Sequence, residues 1–73
     1  MTTEYIYVRA CKLRVGDLIQ IDVHPQLLEI IAISQLSESV MTIELGETDD
    51  LGAFVTEFAA FNEDYIPVHY PVV

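Results

Sequence analysis

The segment Leu13-Arg14-Val15-Gly16-Asp17-Leu18-Ile19-Gln20-Ile21-Asp22 holds a tight turn that launches a strand, and the rest of the chain has to fold back onto the sheet it begins. Gly16 can take φ > 0 without a Cβ penalty. The Asp17 carboxylate can accept from nearby backbone N–H groups, so Val15-Gly16-Asp17 turns for definite chemical reasons. Leu18, Ile19 and Ile21 then supply apolar and β-branched content, with Gln20 and Asp22 as the polar alternation of a strand over Leu18 to Val23.

Turn chemistry recurs at intervals of about ten residues, the rhythm of short strands in an all-β domain. Upstream, Glu4 to Arg9 alternates, with Ile6 and Val8 on one face and Tyr5, Tyr7 and Arg9 on the other, which predicts a half-buried strand. Ala10 to Arg14 connects it to the turn, with room for one helical turn. Downstream, His24-Pro25-Gln26 should end the second strand in a hairpin. Leu27 to Ser34 reads as the returning strand, because it is isoleucine-rich and too closely framed by Pro25 and a serine-rich segment to be a helix. After the turn Ser34 to Ser39, Val40 to Leu45 presents Met41, Ile43 and Leu45 inward. Gly46 to Gly52 reads as an exposed acidic loop and Ala53 to Phe58 as a strand with Phe54 and Phe58 on one face. Ala59 to Asp64 reads as a loop or single helical turn, and Tyr65 to Val68 as the last strand. Pro67 has no N–H, so this strand should border the sheet or close it with that position facing away. His69 to Val73 reads as a loosely held tail. The expectation is one all-β domain over residues 1–73, a small five- to six-stranded SH3-like barrel or a curled antiparallel sheet. Closure is favoured because it removes exposed strand edges.

A chain of 73 residues has room for one core, burying roughly 60% of the surface its unfolded form exposes. With 52% hydrophobic residues it lies well outside disordered composition and should fold without a metal or disulfide staple. Cys11 is the only cysteine. That argues against a disulfide-framed secreted domain and for a cytoplasmic setting, with Cys11 packed as a small hydrophobe. The longest apolar run, Leu27 to Ile33, is broken by Glu29 and falls far short of a bilayer span.

Three basic residues stand against 12 acidic ones, and the formal net charge of −9 opposes direct binding to nucleic acid or anionic lipid. The imbalance is also positional. Arg9, Lys12 and Arg14 are the only cations, and of the acids only Glu4 precedes them. Glu44, Glu47, Asp49, Asp50, Glu57, Glu63 and Asp64 are therefore candidates for an acidic patch. The Glu47, Asp49, Asp50 spacing lacks the oxygen-ligand pattern of an EF-hand loop, so no metal site is assigned.

Catalysis finds no constellation. His24 stands beside a turn proline and His69 in the expected tail, both exposed, so no Cys–His, Ser–His or His-rich site can be set on rigid elements. No phosphate-cradling glycine loop or nucleophile elbow occurs. The reading is non-enzymatic, with no cofactor. The aromatic surplus points elsewhere: Tyr5, Tyr7, Phe61 and Tyr65 exceed what so small a core needs and are candidates for a protein interface, or for self-association.

The run from Leu13 to Asp22, followed by the return strand at Leu27 to Ile33, Val40 to Leu45 and the closing Phe58 to Val68, resembles the L-x-V-G-D-x-I-x-I-D pattern of small all-β domains. Such openings occur in hedgehog/intein-type modules, in SH3-like barrels of the translation-factor kind and in small bacteriophage proteins. Self-splicing is not implied, because Met1-Thr2-Thr3 and Pro71-Val72-Val73 lack the intein nucleophile and His-Asn pair. An RNA-binding barrel would be basic. What the resemblance implies is a compact accessory module of a phage or mobile element that binds and modulates a host protein. The charge supports a second expectation, an acidic mimic of DNA occupying the basic cleft of a nucleic-acid-binding protein.

The turn spacing predicts a far-UV circular dichroism spectrum dominated by strand. A helical spectrum would show that Leu27 to Ser34 had been misread.

Overall fold

The computed structural model describes residues 3–21, 26–48 and 53–71. Six strands form one antiparallel sheet: β1 (Thr3–Arg9), β2 (Leu18–Ile19), β3 (Leu28–Gln35), β4 (Val40–Glu47), β5 (Phe54–Phe61) and β6 (Tyr65–Pro71). A single 3-10 turn, Ala10–Lys12, follows β1. The spatial order is β1-β6-β2-β3-β4-β5, so the last strand lies between the first two and the four strands β2 to β5 form a meander. Among the described residues no helix is long and apolar enough to cross a membrane.

The Val15-Gly16-Asp17 turn forms as its chemistry requires. Gly16 has φ +103°, the sign that the third residue of a type II turn needs. The Asp17 amide donates to the Arg14 carbonyl at 3.1 Å, and the Arg14 amide donates to Asp17 Oδ2 at 2.9 Å. The turn is then tied to β3, because the Gly16 amide donates to the Ile30 carbonyl at 2.8 Å and the Ile30 amide to the Asp17 carbonyl at 2.9 Å. Two residues of the turn thus face one of β3. The strand it launches is short, because ladder pairing covers only Leu18↔Glu29 and Ile19↔Leu28, while Gln20 and Ile21 lie outside it. The expected hairpin at His24-Pro25 lies outside the described residues.

Period-two patterning places the core. Met41, Ile43 and Leu45 are buried as expected, and with Leu28 and Ile30 of β3, Ile19, Leu13, Ala10 and Ala60 they make the buried cluster. Leu28, Ile30, Ile43 and Leu45 are its largest fully buried side chains, each worth about 1.5–3 kcal/mol of burial. Val8, Phe58, Ile66 and Val68 pack against it from β1, β5 and β6.

Several expectations need correction. Of the two forms expected, the structure is the curled antiparallel sheet and not the closed barrel: β1 and β5 remain its edges. Its curl brings the ends of β1 and β5 together at a corner, where the Ala10 amide donates to the Asp64 carbonyl at 2.7 Å and the Cys11 amide to the Asn62 carbonyl at 3.0 Å. The 3-10 turn ends β1 there, so no ladder can run on from β1 to β5. Residues 59 to 61, read as loop, continue β5 in register with β4 through Thr42↔Ala59, Met41↔Ala60 and Val40↔Phe61. The supposed tail is strand up to Pro71: His69 pairs with Tyr5, Tyr70 with Glu4 and Pro71 with Thr3. Phe54 and Phe58 do not share a face. The register shift between Leu45 and Gly46 leaves Val55 as an extra residue on β5, so Phe58 packs on the core while Phe54 is exposed. Pro67 sits within β6, an interior strand. Because β2 meets β6 only at Leu18↔His69, the strand at Pro67 is paired with β1 alone, and the missing N–H leaves no ladder bond unmade. Cys11 is exposed rather than packed away.

The corner is stitched by Asn62. Its amide donates to the Ser39 carbonyl at 2.9 Å and its Nδ2 to the Glu38 carbonyl at 2.9 Å, while its Oδ1 accepts from Gln35 Nε2 at 3.0 Å. Gln35 Nε2 also donates to the carbonyls of Ser37 at 2.6 Å and Val40 at 3.1 Å. Asp64 repeats the device of Asp17: its amide donates to the Phe61 carbonyl at 3.0 Å and its Oδ2 accepts from the Phe61 amide at 2.9 Å.

Gly16→Val should lower stability by more than ~1 kcal/mol in denaturant titrations. A Cβ there meets nothing within 4 Å, so the cost is conformational and Gly16→Asn should be milder. An unchanged midpoint for Gly16→Val would show that the backbone relaxes freely.

Candidate functional site

The β1–β6 register sorts the aromatic residues. Partners opposite one another in an antiparallel pair share a face, so Tyr5↔His69, Tyr7↔Pro67 and Arg9↔Tyr65 lie on one face, and Glu4↔Tyr70, Ile6↔Val68 and Val8↔Ile66 on the other. Val8, Ile66 and Val68 pack on the core, which makes theirs the inner face. The outer face is then a continuous strip of Tyr5, Tyr7, Tyr65, Pro67 and His69 ending at Arg9.

The strip is ordered internally. The rings of Tyr5 and Tyr7 meet edge to face with centroids 5.6 Å apart, and Tyr5 lies 5.3 Å from the His69 ring. Arg9 stands over Tyr65 at 5.8 Å from the ring centroid, donates from Nε to the Tyr65 hydroxyl at 3.3 Å, and approaches Glu63 Oε2 with Nη1 at 3.5 Å. The Tyr65 hydrogen bond first, then the charges of Tyr65 and Glu63, hold the Arg9 guanidinium above its usual pKa. The tyrosines keep most of their surface in water all the same: Tyr5 is 52%, Tyr7 62% and Tyr65 59% exposed.

Of the four aromatic candidates the structure gathers three. Phe61 is also exposed, but it sits on β5 opposite Val40 and does not belong to the strip. Pro67 and His69 belong to it and were not singled out in the sequence. His69 had been assigned to an exposed tail, and only long-range pairing with β1 brings it beside Tyr5.

Of the acidic candidates the structure pairs two. Glu44 and Glu57 face each other across β4 and β5, a like-charged pair that costs some stability. Glu47 ends β4, with its amide donating to the Ala53 carbonyl at 3.1 Å. Glu63 is taken up by Arg9, and Asp64 by its own turn. Asp49 and Asp50 lie outside the described residues. Among the described residues no group of three or more His, Cys, Asp or Glu side chains is placed to hold a metal ion.

Comparison with protein-family models, curated proteins and solved structures finds no match to this chain.

On the inner face the Tyr70 hydroxyl donates to Glu4 Oε2 at 3.1 Å. That hydrogen bond first, with burial and the Glu4 charge, raises the Tyr70 pKa above its usual value. The folded state therefore favours the neutral phenol, and the small stabilisation from this exposed pair is present below pH ~10 and lost as pH rises through the folded value. Glu4→Gln should bring Tyr70 back toward the ordinary range in a tyrosinate absorbance titration. An unchanged alkaline curve would show that the bond has no weight in solution.

Proposed function

We propose that this chain is a small non-enzymatic protein-interaction module that docks a protein partner on the outer face of β1 and β6. The observation that carries the reading is the strip itself: three half-exposed tyrosines, with a proline and a histidine beside them, on the face of β1 and β6 turned away from the core. Tyrosines offer large, rigid contact area at low entropic cost, and interface energy concentrates on a few such anchors. Arg9 at one end adds a directional donor. The resemblance of Leu13 to Asp22 to the turn-and-strand opening of small bacteriophage proteins supports the accessory role, in which the partner is a host protein and binding modulates it.

Glu63 is engaged by Arg9 and Asp64 by its own turn, which weighs against acidic mimicry of DNA as the main mode, since mimicry asks for free carboxylates in a row at phosphate-like spacing. The net charge remains as a long-range term that favours basic or neutral partners.

With the full chain as bait in extracts of its native cell, the captured partner should bind with little dependence on salt. Affinity should fall by ~2 kcal/mol or more in Tyr7→Ala or Tyr65→Ala. Binding that ignores both truncations but collapses as salt screens the charges, with nucleic acid competing, would assign the acidic surface instead.

A further inference from the structure

The two edges of the sheet are finished differently. β5 carries an extra residue at Val55 and a charge at Glu57, devices that twist or charge an edge against further pairing. β1 has no bulge, and its charges, Glu4 and Arg9, stand toward its ends: between them it reads Tyr5-Ile6-Tyr7-Val8, without charge or proline, and its seven residues pair with β6 in unbroken register. One side of β1 is thus a straight row of backbone donors and acceptors with no strand against it among the described residues. Ile6 marks the gap. It belongs to the inner face beside Val8 and Val68, yet it is 55% exposed, and among the described residues no strand lies beyond the edge to cover it.

We infer that the β1 edge takes a second copy of this chain, strand against antiparallel strand, about a two-fold axis at Ile6. A two-fold interface has to be self-complementary, and Tyr5-Ile6-Tyr7 reads the same in both directions. In that register Ile6 meets Ile6 of the second copy on the inner face, and Tyr5 meets Tyr7 twice on the outer face. Charge favours the same arrangement. Glu4 stands at one end of β1 and Arg9, followed by Lys12 and Arg14, at the other, so antiparallel pairing sets the acidic end of each copy beside the basic end of its neighbour. A parallel pair would stack like on like.

The area sets the strength. A half-exposed tyrosine offers ~100 Å², so Tyr5, Tyr7, Ile6 and the strand edge reach only the low end of the ~1,000 Å² total that a specific interface needs. The dimer is therefore a weak one, in the micromolar range and above, held against the mutual repulsion of two chains of net charge −9. It does not depend on the outer strip having a partner; Tyr5 and Tyr7 belong to both surfaces, but two residues tell them apart, Tyr65 on β6, away from the edge, and Ile6, which points away from the strip.

Sedimentation equilibrium of the full chain at rising concentration tests the assignment. Wild type should move from 8.2 kDa toward twice that mass. Ile6→Lys, which is tolerated in a monomer that leaves the position half exposed but sets two ammonium groups face to face across the axis, should weaken association about tenfold or more, with the circular dichroism spectrum unchanged. Tyr65→Ala should leave association as it is, while lowering capture of a host partner. A wild-type chain that stays monomeric to ~1 mM, or a dimer that survives Ile6→Lys, would overturn the inference. Should that variant fail to fold, hydrogen exchange of the wild type decides: concentration-dependent protection should appear in β1, and its appearance in β5 instead would overturn it equally.

Discussion

One side chain amide holds the curl of this sheet. Asn62 bonds with the β3–β4 turn through its amide and Nδ2, with the Gln35 side chain through Oδ1, and with the 3-10 turn after β1 through its carbonyl. A six-stranded sheet of this size has no second layer to pack against, so its only route to a core is to bend over itself. Bending requires that the ends of distant strands be held near each other, and the Asn62 bonds do so by tying the end of β5 to the β3–β4 turn and to the 3-10 turn after β1. The residues they reach, Cys11, Gln35, Glu38 and Ser39, are exposed, so the network acts through geometry and not through burial.

Asp17 and Asp64 show that the chain solves two corners in one way. Each donates its amide to the carbonyl three residues earlier and accepts the amide of that same residue on its carboxylate. Each then offers its own carbonyl to a neighbouring segment, Asp17 to Ile30 and Asp64 to Ala10. A carboxylate used this way is an architectural part, and two of the acids responsible for the negative charge are accounted for by the fold alone.

The contrast between these corners shows what can be read from residues in a row. Val15-Gly16-Asp17 is legible because everything that makes it turn is local: a glycine with φ > 0 and a carboxylate three residues from the amide it binds. The face of β4 is legible because Met41, Ile43 and Leu45 alternate without interruption. Phe61-Asn62-Glu63-Asp64 has no glycine, and nothing nearby tells that Asn62 reaches Glu38 and Ser39. The bulge at Val55 is equally silent, since the residue that slips is chosen by the fit of two whole strands, and Phe54 changes face with it. The candidate site divides along the same line. Tyr5 and Tyr7 announce themselves by alternation, but His69 and Pro67 join them only through pairing of β1 with β6. Whether Ile6 is covered depends on what lies beside the sheet.

The placement of β6 has a consequence for how the molecule comes to exist. β3, β4 and β5 are consecutive neighbours and can assemble as soon as they are made, whereas β1, made before the other five, pairs with the last of the six, Thr3 opposite Pro71. Closing so long a loop must be met before the contact rewards it, which places the greatest entropic cost at the final step of folding. Until residues 65–71 have left the ribosome, Tyr5-Ile6-Tyr7-Val8 waits with neither edge paired. In a nascent chain the segment best suited to join other strands is thus also the one left longest without its own.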